Sequence, residues 1–343
     1  GYAPAAWDAA MQHFYAKGFT EKDLIEAGLV SQRDSGGVYD RFRNRLMFAI
    51  RDANGRMSGF GARILDPDDV PKYLNSPQTA IFDKGRLLYG LDLARKAIRS
   101  EDQAIIVEGY MDVIVPHQAG FANTVSPMGT ALTEDHLRML KRYTRRIVLA
   151  LDADAAGEKA TLRGLEVARQ AMGRSDEIRF DARGLLRHEA RLEADVRVTT
   201  IPDGMDPDEV VLRDPEEWRR IIAAAKPIVV HVMETLAAQK NLDDPKVKSE
   251  IVAQMLPLIE DVPSVVERDA YRQRLARMIK VDERTLVGSG TTGKPAGRRK
   301  PQNIQNAAGR SANPPLKSAP VTQLGQALER HAIHILVQEP EWL

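Results

Sequence analysis

The sequence contains no cysteine, no long apolar run and no excess charge of either sign. The lack of cysteine excludes disulfides and thiolate zinc sites within these 343 residues. No apolar stretch approaches the ~20 residues that a membrane-spanning helix requires, and residues 1–4 lack the basic-then-apolar order of a signal peptide. With 49 basic and 48 acidic residues, the overall charge identifies no partner. We therefore expect a cytoplasmic protein that does not enter a membrane.

Three short apolar runs are followed by carboxylates. Residues 104–107 lead to Glu108, and residues 146–151 lead to Asp152 and Asp154. Such runs are typical of buried strands, and ligands of open α/β sheets bind beyond the carboxyl ends of the strands. Side chains at i and i+2 of an extended chain point to the same side, so this pair of aspartates should face one shared space. The third run, residues 196–201, is followed by Asp203, Asp206 and Asp208.

Acids at three strand ends predict a metal site. Mg²⁺ and Mn²⁺ prefer hard oxygen ligands, and such an ion could orient a triphosphate and lower the pKa of an attacking hydroxyl. The alternative is that these acids cap helices or face water, which is the common role of an isolated Asp-x-Asp pair. The coincidence of acids at three strand ends favours the metal site.

A basic surface is predicted in the first hundred residues. Arg41, Arg43 and Arg45 alternate within residues 38–51, which we interpret as one strand, so all three should face the same side. Further cations follow at Arg63, Lys72, Lys84 and Arg86. A phosphate backbone is a natural ligand for such a stripe. The alternative is a solvated strand face whose arginines pair with neighbouring aspartates.

A glycine-containing segment, SPMGTALT at residues 126–133, joins a predicted strand to a predicted helix capped by Thr133. Backbone N–H groups at such a junction could bind a phosphate. It is not a P-loop, because no Gly-Lys-Ser/Thr follows. The alternative is an ordinary strand-to-helix connection.

Strands and helices alternate in the middle of the chain, which predicts an α/β fold with a parallel sheet flanked by helices. Before it, we predict a helix at 20–27 capped by Thr20, strands at 38–51 and 57–65, and a helix at 84–99. Residues 155–172 fit a core-facing helix, and residues 173–194 are predicted to be an insertion loop or a hairpin. The C-terminal part is predicted to be a helical bundle with breaks at Pro227, Pro245, Pro257 and Pro263.

These patterns divide the chain into five regions. We predict an N-terminal α/β basic subdomain at 1–100, a catalytic α/β domain at 101–212, a helical subdomain at 213–287, a disordered linker at 288–320 and the start of a further helical domain at 321–343. The linker is predicted from its Gly, Pro, Ser and Asn content and its uniformly basic charge. The missing initiator Met and the end at Leu343 suggest a fragment of a longer chain.

Several motifs resemble a known family. EGYMDV at 108–113 and ALDADAAG at 150–157 resemble the Toprim module that bacterial primases and topoisomerases share. Residues 1 to 286 resemble the catalytic core of bacterial DnaG-type primases. This closer resemblance lies in YDRFRNR at 39–45, GFGAR at 59–63, PKYLNSP at 71–77 and KGRLLYG at 84–90.

The resemblance implies that short RNA primers are made on single-stranded DNA from ribonucleoside triphosphates. It implies an essential catalytic Glu108 and metal ligation by Asp152 and Asp154, with Asp206 and Asp208 adding to the metal site. It implies contacts to template and nucleotide from Arg41, Arg43, Arg63, Lys72 and Lys84. The family's zinc is bound by an N-terminal ribbon that these residues do not include, so zinc is expected only there. The replicative helicase is expected to bind through the domain that begins at 321–343, at the replication fork in the bacterial cytoplasm.

Two other readings remain. A Toprim site could belong to a nuclease or a topoisomerase, although a topoisomerase needs a tyrosine nucleophile in a separate DNA-cleaving domain. Tyr110 lies beside Glu108, but its sequence context favours core packing. The chain could also be a non-enzymatic module that binds nucleic acid or a helicase.

Overall fold

The structure, a computed structural model, describes residues 1–129, 132–151, 177–180, 186–189, 195–202, 205–262 and 264–289. Several predictions fall outside these residues. They concern Asp152, Asp154, Asp203, the helix at 155–172, the break at Pro263, residues 290–343 of the linker and tail, and residues 130–131 of the glycine-containing segment. No helix in the described ranges is long and apolar enough to cross a membrane.

The N-terminal part contains a four-stranded antiparallel sheet and a hairpin. The sheet order is β1 (Tyr2–Ala3), β4 (Arg45–Arg51), β5 (Met57–Ile64) and β6 (Tyr73–Asn75). The hairpin joins β2 (Val30–Gln32) to β3 (Val38–Asp40), and the helices are α1 (Ala9–Ala16) and α2 (Glu21–Glu26). The predicted helix at 20–27 is confirmed as α2, because Thr20 and Asp23 form a capping box at its start.

Two predicted elements of this part were wrong. Residues 38–51 form two strands rather than one, because the chain turns after β3 and Asn44 takes a positive φ of 48°. The stretch 84–99 is a 3₁₀ turn, Lys84–Arg86, followed by helix α3, Leu91–Glu101. Gly90, with a φ of 80°, separates the two. Its left-handed conformation is one that glycine adopts without steric strain.

A five-stranded sheet forms the centre of the molecule, in the order β13-β12-β9-β7-β8. Its strands are β7 (Ala104–Ile106), β8 (Thr124–Val125), β9 (Arg146–Leu151), β12 (Asp195–Thr200) and β13 (Lys226–Pro227). The first four are parallel, as predicted, and only β13 at the edge is antiparallel. Residues 177–180 and 186–189 pair as antiparallel strands β10 and β11, as the hairpin alternative predicted.

Helices cover both faces of this sheet. One core contains Ile106 and Leu149 and the other contains Ile105 and Val148, because successive strand residues point to opposite faces. The helices near the sheet are α4 (Met111–Gln118), α5 (Glu134–Leu140), α6 (Pro207–Arg213) and α7 (Pro215–Ala223). Thr133 caps α5 as predicted.

The C-terminal helices share a core with the sheet. They are α8 (Ile228–Gln239), α9 (Pro245–Glu260), α10 (Val265–Ile279) and α11 (Glu283–Ser289). Met233, Met255 and Leu275 of these helices are buried in the same cluster as Ile106. The predicted break at Pro257 was wrong, because Pro257 lies inside α9.

Candidate functional site

The described members of the predicted acidic set, Glu108, Asp206 and Asp208, follow strands that end at one edge of the central sheet. Strands β7, β9 and β12 are parallel, so their carboxyl ends share that edge. Glu108 follows β7 and is exposed, and Asp206 and Asp208 stand at the start of α6, after β12. Strand β9 ends at Leu151, immediately before the aspartates that are not described. The topology therefore brings the described candidates to the predicted edge.

Asp112 links two of these strand ends. Its carboxylate accepts a 2.9 Å hydrogen bond from the Gly109 backbone N–H and a 3.4 Å hydrogen bond from the Asp208 backbone N–H. The loop that carries Glu108 is therefore tied to the first turn of α6. Sequence reasoning missed this role of Asp112, and its position at the start of a helix, where aspartates bind free N–H groups, was the available signal.

The Glu108 loop is also held from the next strand. Ser126 Oγ donates a 2.6 Å hydrogen bond to the Glu108 carbonyl oxygen, and the Gly129 N–H donates to the same oxygen at 3.2 Å. The Met128 N–H donates to Ser126 Oγ at 2.9 Å. The described residues of the glycine-containing segment thus hold the backbone of Glu108, which favours the ordinary connection over phosphate binding by these two N–H groups.

Asp208 lies in a crowded electrostatic environment. Burial raises the pKa of this half-buried carboxyl, and the nearby charges of Asp206 and Glu209 raise it further, although the Glu209 N–H opposes the shift. Oxygen donors with mutual repulsion are what a hard divalent cation would stabilise. Within the described ranges, however, no group of three or more His, Asp or Glu side chains is close enough to hold a metal ion. The three described candidates alone therefore do not enclose an ion.

Tyr73 marks the place where acidic and basic residues meet. Burial raises the pKa of its hydroxyl, Arg63 lowers it, and the carboxylates of Asp112, Asp208 and Asp206 raise it. The Arg63 guanidinium lies 5.8 Å and the Lys72 ammonium 5.9 Å from the centre of the Tyr73 ring. Predicted cations and predicted metal ligands thus lie around one exposed aromatic ring. Tyr73 was not among the residues predicted from the sequence.

Arg41 and Lys84 form a second basic group. Arg41 donates from Nε at 3.2 Å and from Nη2 at 2.9 Å to the Asn75 carbonyl oxygen. Burial lowers the pKa of Lys84, and the nearby charge of Arg41 lowers it further. Neither cation forms a salt bridge within the part of the chain that the structure describes. Two half-buried cations whose charges interact create a region of positive potential that is suited to an anion.

The prediction that Arg41, Arg43 and Arg45 face the same side was wrong. Arg43 stacks on Trp7, with 4.1 Å from its guanidinium carbon to the ring centre, and Arg45 is 6% exposed and donates to the Pro71 carbonyl at 2.8 Å. The turn between β3 and β4 sends the three side chains in different directions. Arg45 is therefore buried in a structural contact, whereas Arg41 and Arg43 are only half-buried and remain candidates for ligand binding. Arg86 is exposed and pairs with Asp135 at 3.5 Å.

The chain resembles bacterial primases in three comparisons. Family models match residues 1–95 (DNA primase catalytic core, N-terminal domain), residues 102–175 (Toprim domain) and residues 229–284 (DnaB-helicase binding domain of primase). The last match lies within α8–α11, upstream of residues 321–343 where the sequence analysis placed the helicase-binding domain.

The similar proteins include DNA primases of Clostridium acetobutylicum, 40% identical over 83% of this chain and 44% of the relative, and of Escherichia coli, 35% identical over 99% and 52%. The chain thus spans about half the length of the curated relatives it matches. Among solved structures, the E. coli primase catalytic core is 36% identical with a TM-score of 0.69, covering 82% of this chain and 84% of that one. A DnaG primase catalytic domain bound to ssDNA is 37% identical with a TM-score of 0.68, covering 81% and 84%.

Proposed function

The chain belongs to the DnaG-type DNA primases, and we propose that it forms the catalytic core that makes short RNA primers on single-stranded DNA. The observation that carries this proposal is the meeting of acidic and basic residues around Tyr73. Nucleotidyl transfer requires ligands for a divalent cation beside cations that neutralise phosphate charge. A site with only one of these features would not suit a nucleoside triphosphate.

The carboxylates would hold Mg²⁺ or Mn²⁺. Glu108, Asp206 and Asp208 would act with Asp152 and Asp154 as oxygen ligands, which are the hard donors that these cations prefer. The bound cation would supply Lewis-acid polarisation of the phosphate and a lowered pKa of the attacking hydroxyl. Asp112 would keep the Glu108 loop and the start of α6 in register by its two backbone hydrogen bonds.

The basic residues would bind the phosphates. The 3′-hydroxyl of the growing primer would attack the α-phosphorus and lose its proton to bulk water, the bond between the α-phosphorus and the oxygen that bridges to the β-phosphate would break, and pyrophosphate would leave. Arg63, Lys72 and Lys84 would neutralise the charge that develops on the leaving group, and Arg41 would add to the potential around Lys84. These contacts orient the nucleotide and act without taking up or releasing a proton.

The Trp7–Arg43 stack would bind the template. Trp7 is 57% exposed, its ring carries the Arg43 guanidinium on one side, and Tyr39 meets it edge-on at 5.7 Å. Exposed aromatic rings next to arginine are the surface on which single-stranded bases stack without regard to sequence. The helicase would contact residues 229–284, the segment matched by the helicase-binding family model, and primer synthesis would occur at the replication fork in the bacterial cytoplasm.

The central test is metal-dependent dinucleotide synthesis by the Glu108→Gln and Asp152→Asn variants. Both should lower the rate by at least about 100-fold, since a carboxamide is a poor ligand for a hard cation. Asp243→Asn, at an exposed loop position between α8 and α9, is the matched control and should retain activity. Full activity of both variants with an intact fold would exclude the proposed site.

A second experiment separates primer synthesis from the other two readings. Labelled single-stranded DNA is incubated with the chain, ribonucleoside triphosphates and Mg²⁺ or Mn²⁺. Extended RNA products support the primase reading, and cut DNA indicates a nuclease. Binding without any product, whether or not nucleotide is added, indicates a non-enzymatic binding module.

The template contact is tested by the salt dependence of single-stranded DNA binding. Arg43→Ala should reduce the slope of log K against log [salt] by about 0.7, the value expected for one lost phosphate contact on a single strand. Lys246→Ala, at an exposed position of α9, should leave the slope unchanged. An unchanged slope in Arg43→Ala would remove Arg43 from the proposed DNA surface.

A further inference from the structure

Side chains at the start of α5 bind the backbone of the 3₁₀ turn Lys84–Arg86. Thr133 Oγ1 donates a 2.6 Å hydrogen bond to the Gly85 carbonyl oxygen, and His136 Nε2 lies 2.8 Å from the Lys84 carbonyl oxygen. The two residues are 48 and 52 positions away from the carbonyls that they bind. Two consecutive carbonyls of the short 3₁₀ turn are therefore fixed by side chains from one helix terminus.

The neighbours of His136 determine which of its nitrogens carries the hydrogen. A carbonyl oxygen can only accept, so Nε2 must donate to Lys84. The Thr133 backbone N–H can only donate, so Nδ1, at 3.2 Å, must accept. His136 is 0% exposed, and both nitrogens are used in one neutral tautomer. Protonation would place a second hydrogen on Nδ1, facing the Thr133 N–H, and would break the cap of α5.

The 3₁₀ turn needs an external clamp, which we define as the hydrogen bonds from Thr133 and His136 to its carbonyl oxygens. It needs this restraint because it carries Lys84, which a second cation repels. The charge of Arg41 lowers the pKa of Lys84, after the larger effect of burial, because the two cations repel each other. Arg41 is fixed by two hydrogen bonds to the Asn75 carbonyl and cannot easily withdraw. Lys84 belongs to a turn of only three residues, with one side-chain cap from Asp83 to the Gly85 N–H at 2.9 Å. Without further restraint, the repulsion would be relieved by movement of the lysine.

We propose that His136 and Thr133 are positioning residues that hold Lys84 beside Arg41 through the carbonyls of the turn, so that a nucleotide phosphate meets a preformed pair of cations. The inference rests on the proposed function in one respect, the binding of phosphate by Lys84. Preformed cations bind an anion more tightly than mobile ones, because the ligand does not have to overcome their repulsion and order them at the same time.

The two conservative replacements of His136 separate the clamp from the helix cap. In His136→Asn the short amide reaches the Nδ1 position and keeps the acceptor for the Thr133 N–H, but it loses the donor to the Lys84 carbonyl. In His136→Gln the longer amide reaches the Nε2 position and keeps that donor, but it loses the acceptor at Nδ1. If His136 only caps α5, His136→Gln should be the more damaging of the two substitutions. If His136 positions Lys84, His136→Asn should be the more damaging one.

The experiment measures the affinity of the 343-residue chain for ATP with Mg²⁺, and amide hydrogen exchange of residues 84–87. His136→Asn should weaken ATP binding by about tenfold and accelerate exchange in the turn, while His136→Gln should stay within about twofold of the unchanged protein. Thr133→Val should resemble His136→Asn, and Thr133→Ser should bind normally. Normal affinity and normal exchange in His136→Asn, or equal loss in both His136 variants, would overturn the proposal.

Lys84→Ala distinguishes failure of this proposal from failure of the proposed function. If Lys84→Ala binds ATP–Mg²⁺ as tightly as the unchanged protein, Lys84 does not contact phosphate, and the positioning role falls with that contact. If Lys84→Ala weakens ATP binding but His136→Asn does not, the phosphate contact stands and the positioning role alone is overturned. Weakened ATP binding in both Lys84→Ala and His136→Asn, together with normal binding in His136→Gln, supports the positioning role of His136.

Discussion

Tyr110 Oη donates a 2.6 Å hydrogen bond to Asn75 Oδ1, across 35 residues of sequence. Tyr110 follows Glu108 by two positions, and the carbonyl of Asn75 holds Arg41. One asparagine therefore connects the loop of the predicted metal ligand to a predicted phosphate-binding arginine. The Tyr110 ring also stacks on Phe48 at 5.0 Å and meets Tyr89 edge-on at 4.8 Å.

Tyr110→Phe should lower the free energy of unfolding by about 1 kcal/mol, because it removes a hydrogen bond in a buried setting while the ring contacts remain. Urea unfolding measures the change. The matched control is Tyr89→Phe, whose hydroxyl forms no hydrogen bond within the described part of the chain, and it should change stability by less than about 0.5 kcal/mol. Equal effects of the two variants would argue against the Asn75 contact.

Gly61→Ala should be strongly destabilising. A Cβ at Gly61 would lie 2.4 Å from Cζ and Oη of Tyr110, and relief of such a clash in a packed interior costs about 1–3 kcal/mol. Thermal or urea unfolding gives the loss. In a Tyr110→Ala background, where the clashing atoms are gone, the added effect of Gly61→Ala should be smaller. Simple additivity of the two substitutions would mean that Gly61 and Tyr110 are not in contact.

Asp112→Ala should impair catalysis more than it impairs folding. The substitution removes the acceptors for the Gly109 and Asp208 N–H groups, and we expect a loss of about 1–2 kcal/mol in unfolding free energy. Because both hydrogen bonds orient loops that carry predicted metal ligands, dinucleotide synthesis should fall at least about tenfold under conditions where the protein stays folded. Asp112→Asn keeps one acceptor oxygen, so its rate of dinucleotide synthesis should lie between those of Asp112→Ala and the unchanged protein. Unchanged activity in folded Asp112→Ala would remove its positioning role.

Stability in acid should depend on Asp52, at the turn between β4 and β5. Partial burial opposes ionisation of this carboxyl, but hydrogen bonds from the Arg56 backbone and guanidinium and from the Asn54 N–H outweigh it and lower the pKa of Asp52. A carboxyl with a lowered folded-state pKa contributes stability above its unfolded pKa, about 3.9, and loses it as pH falls through the folded value. Asp52→Asn should therefore cost about 1–2 kcal/mol at pH 7 and progressively less below about pH 4.

The measurement is unfolding free energy as a function of pH for Asp52→Asn and the unchanged protein. Asp34→Asn, at an exposed position of the β2–β3 turn, serves as the control substitution. If the difference in unfolding free energy between Asp52→Asn and the unchanged protein stays constant from neutral to acid pH, the lowered pKa of Asp52 does not contribute to stability.

Local signals in the sequence predicted much of the fold. The N-caps at Thr20 and Thr133 and the apolar run of β9 depend on neighbours within a few residues, so they could be recognised without coordinates. The acidic edge was also predictable, because parallel strands place their carboxyl ends together. Pro257 was misread because the surrounding packing of α9 tolerates a proline that local preference disfavours.

The sequence by itself determined which residue types were available for chemistry and at which end of which strand they stand. Tertiary structure alone decided their partners, because Asp112 and Asp208 are 96 positions apart, and His136 reaches a carbonyl 52 positions away. It also decided that Arg41, Arg43 and Arg45 diverge, since one left-handed residue, Asn44, redirects the chain between them. Contacts between distant residues depend on how whole elements pack, and that packing energy is not encoded in any short window of sequence.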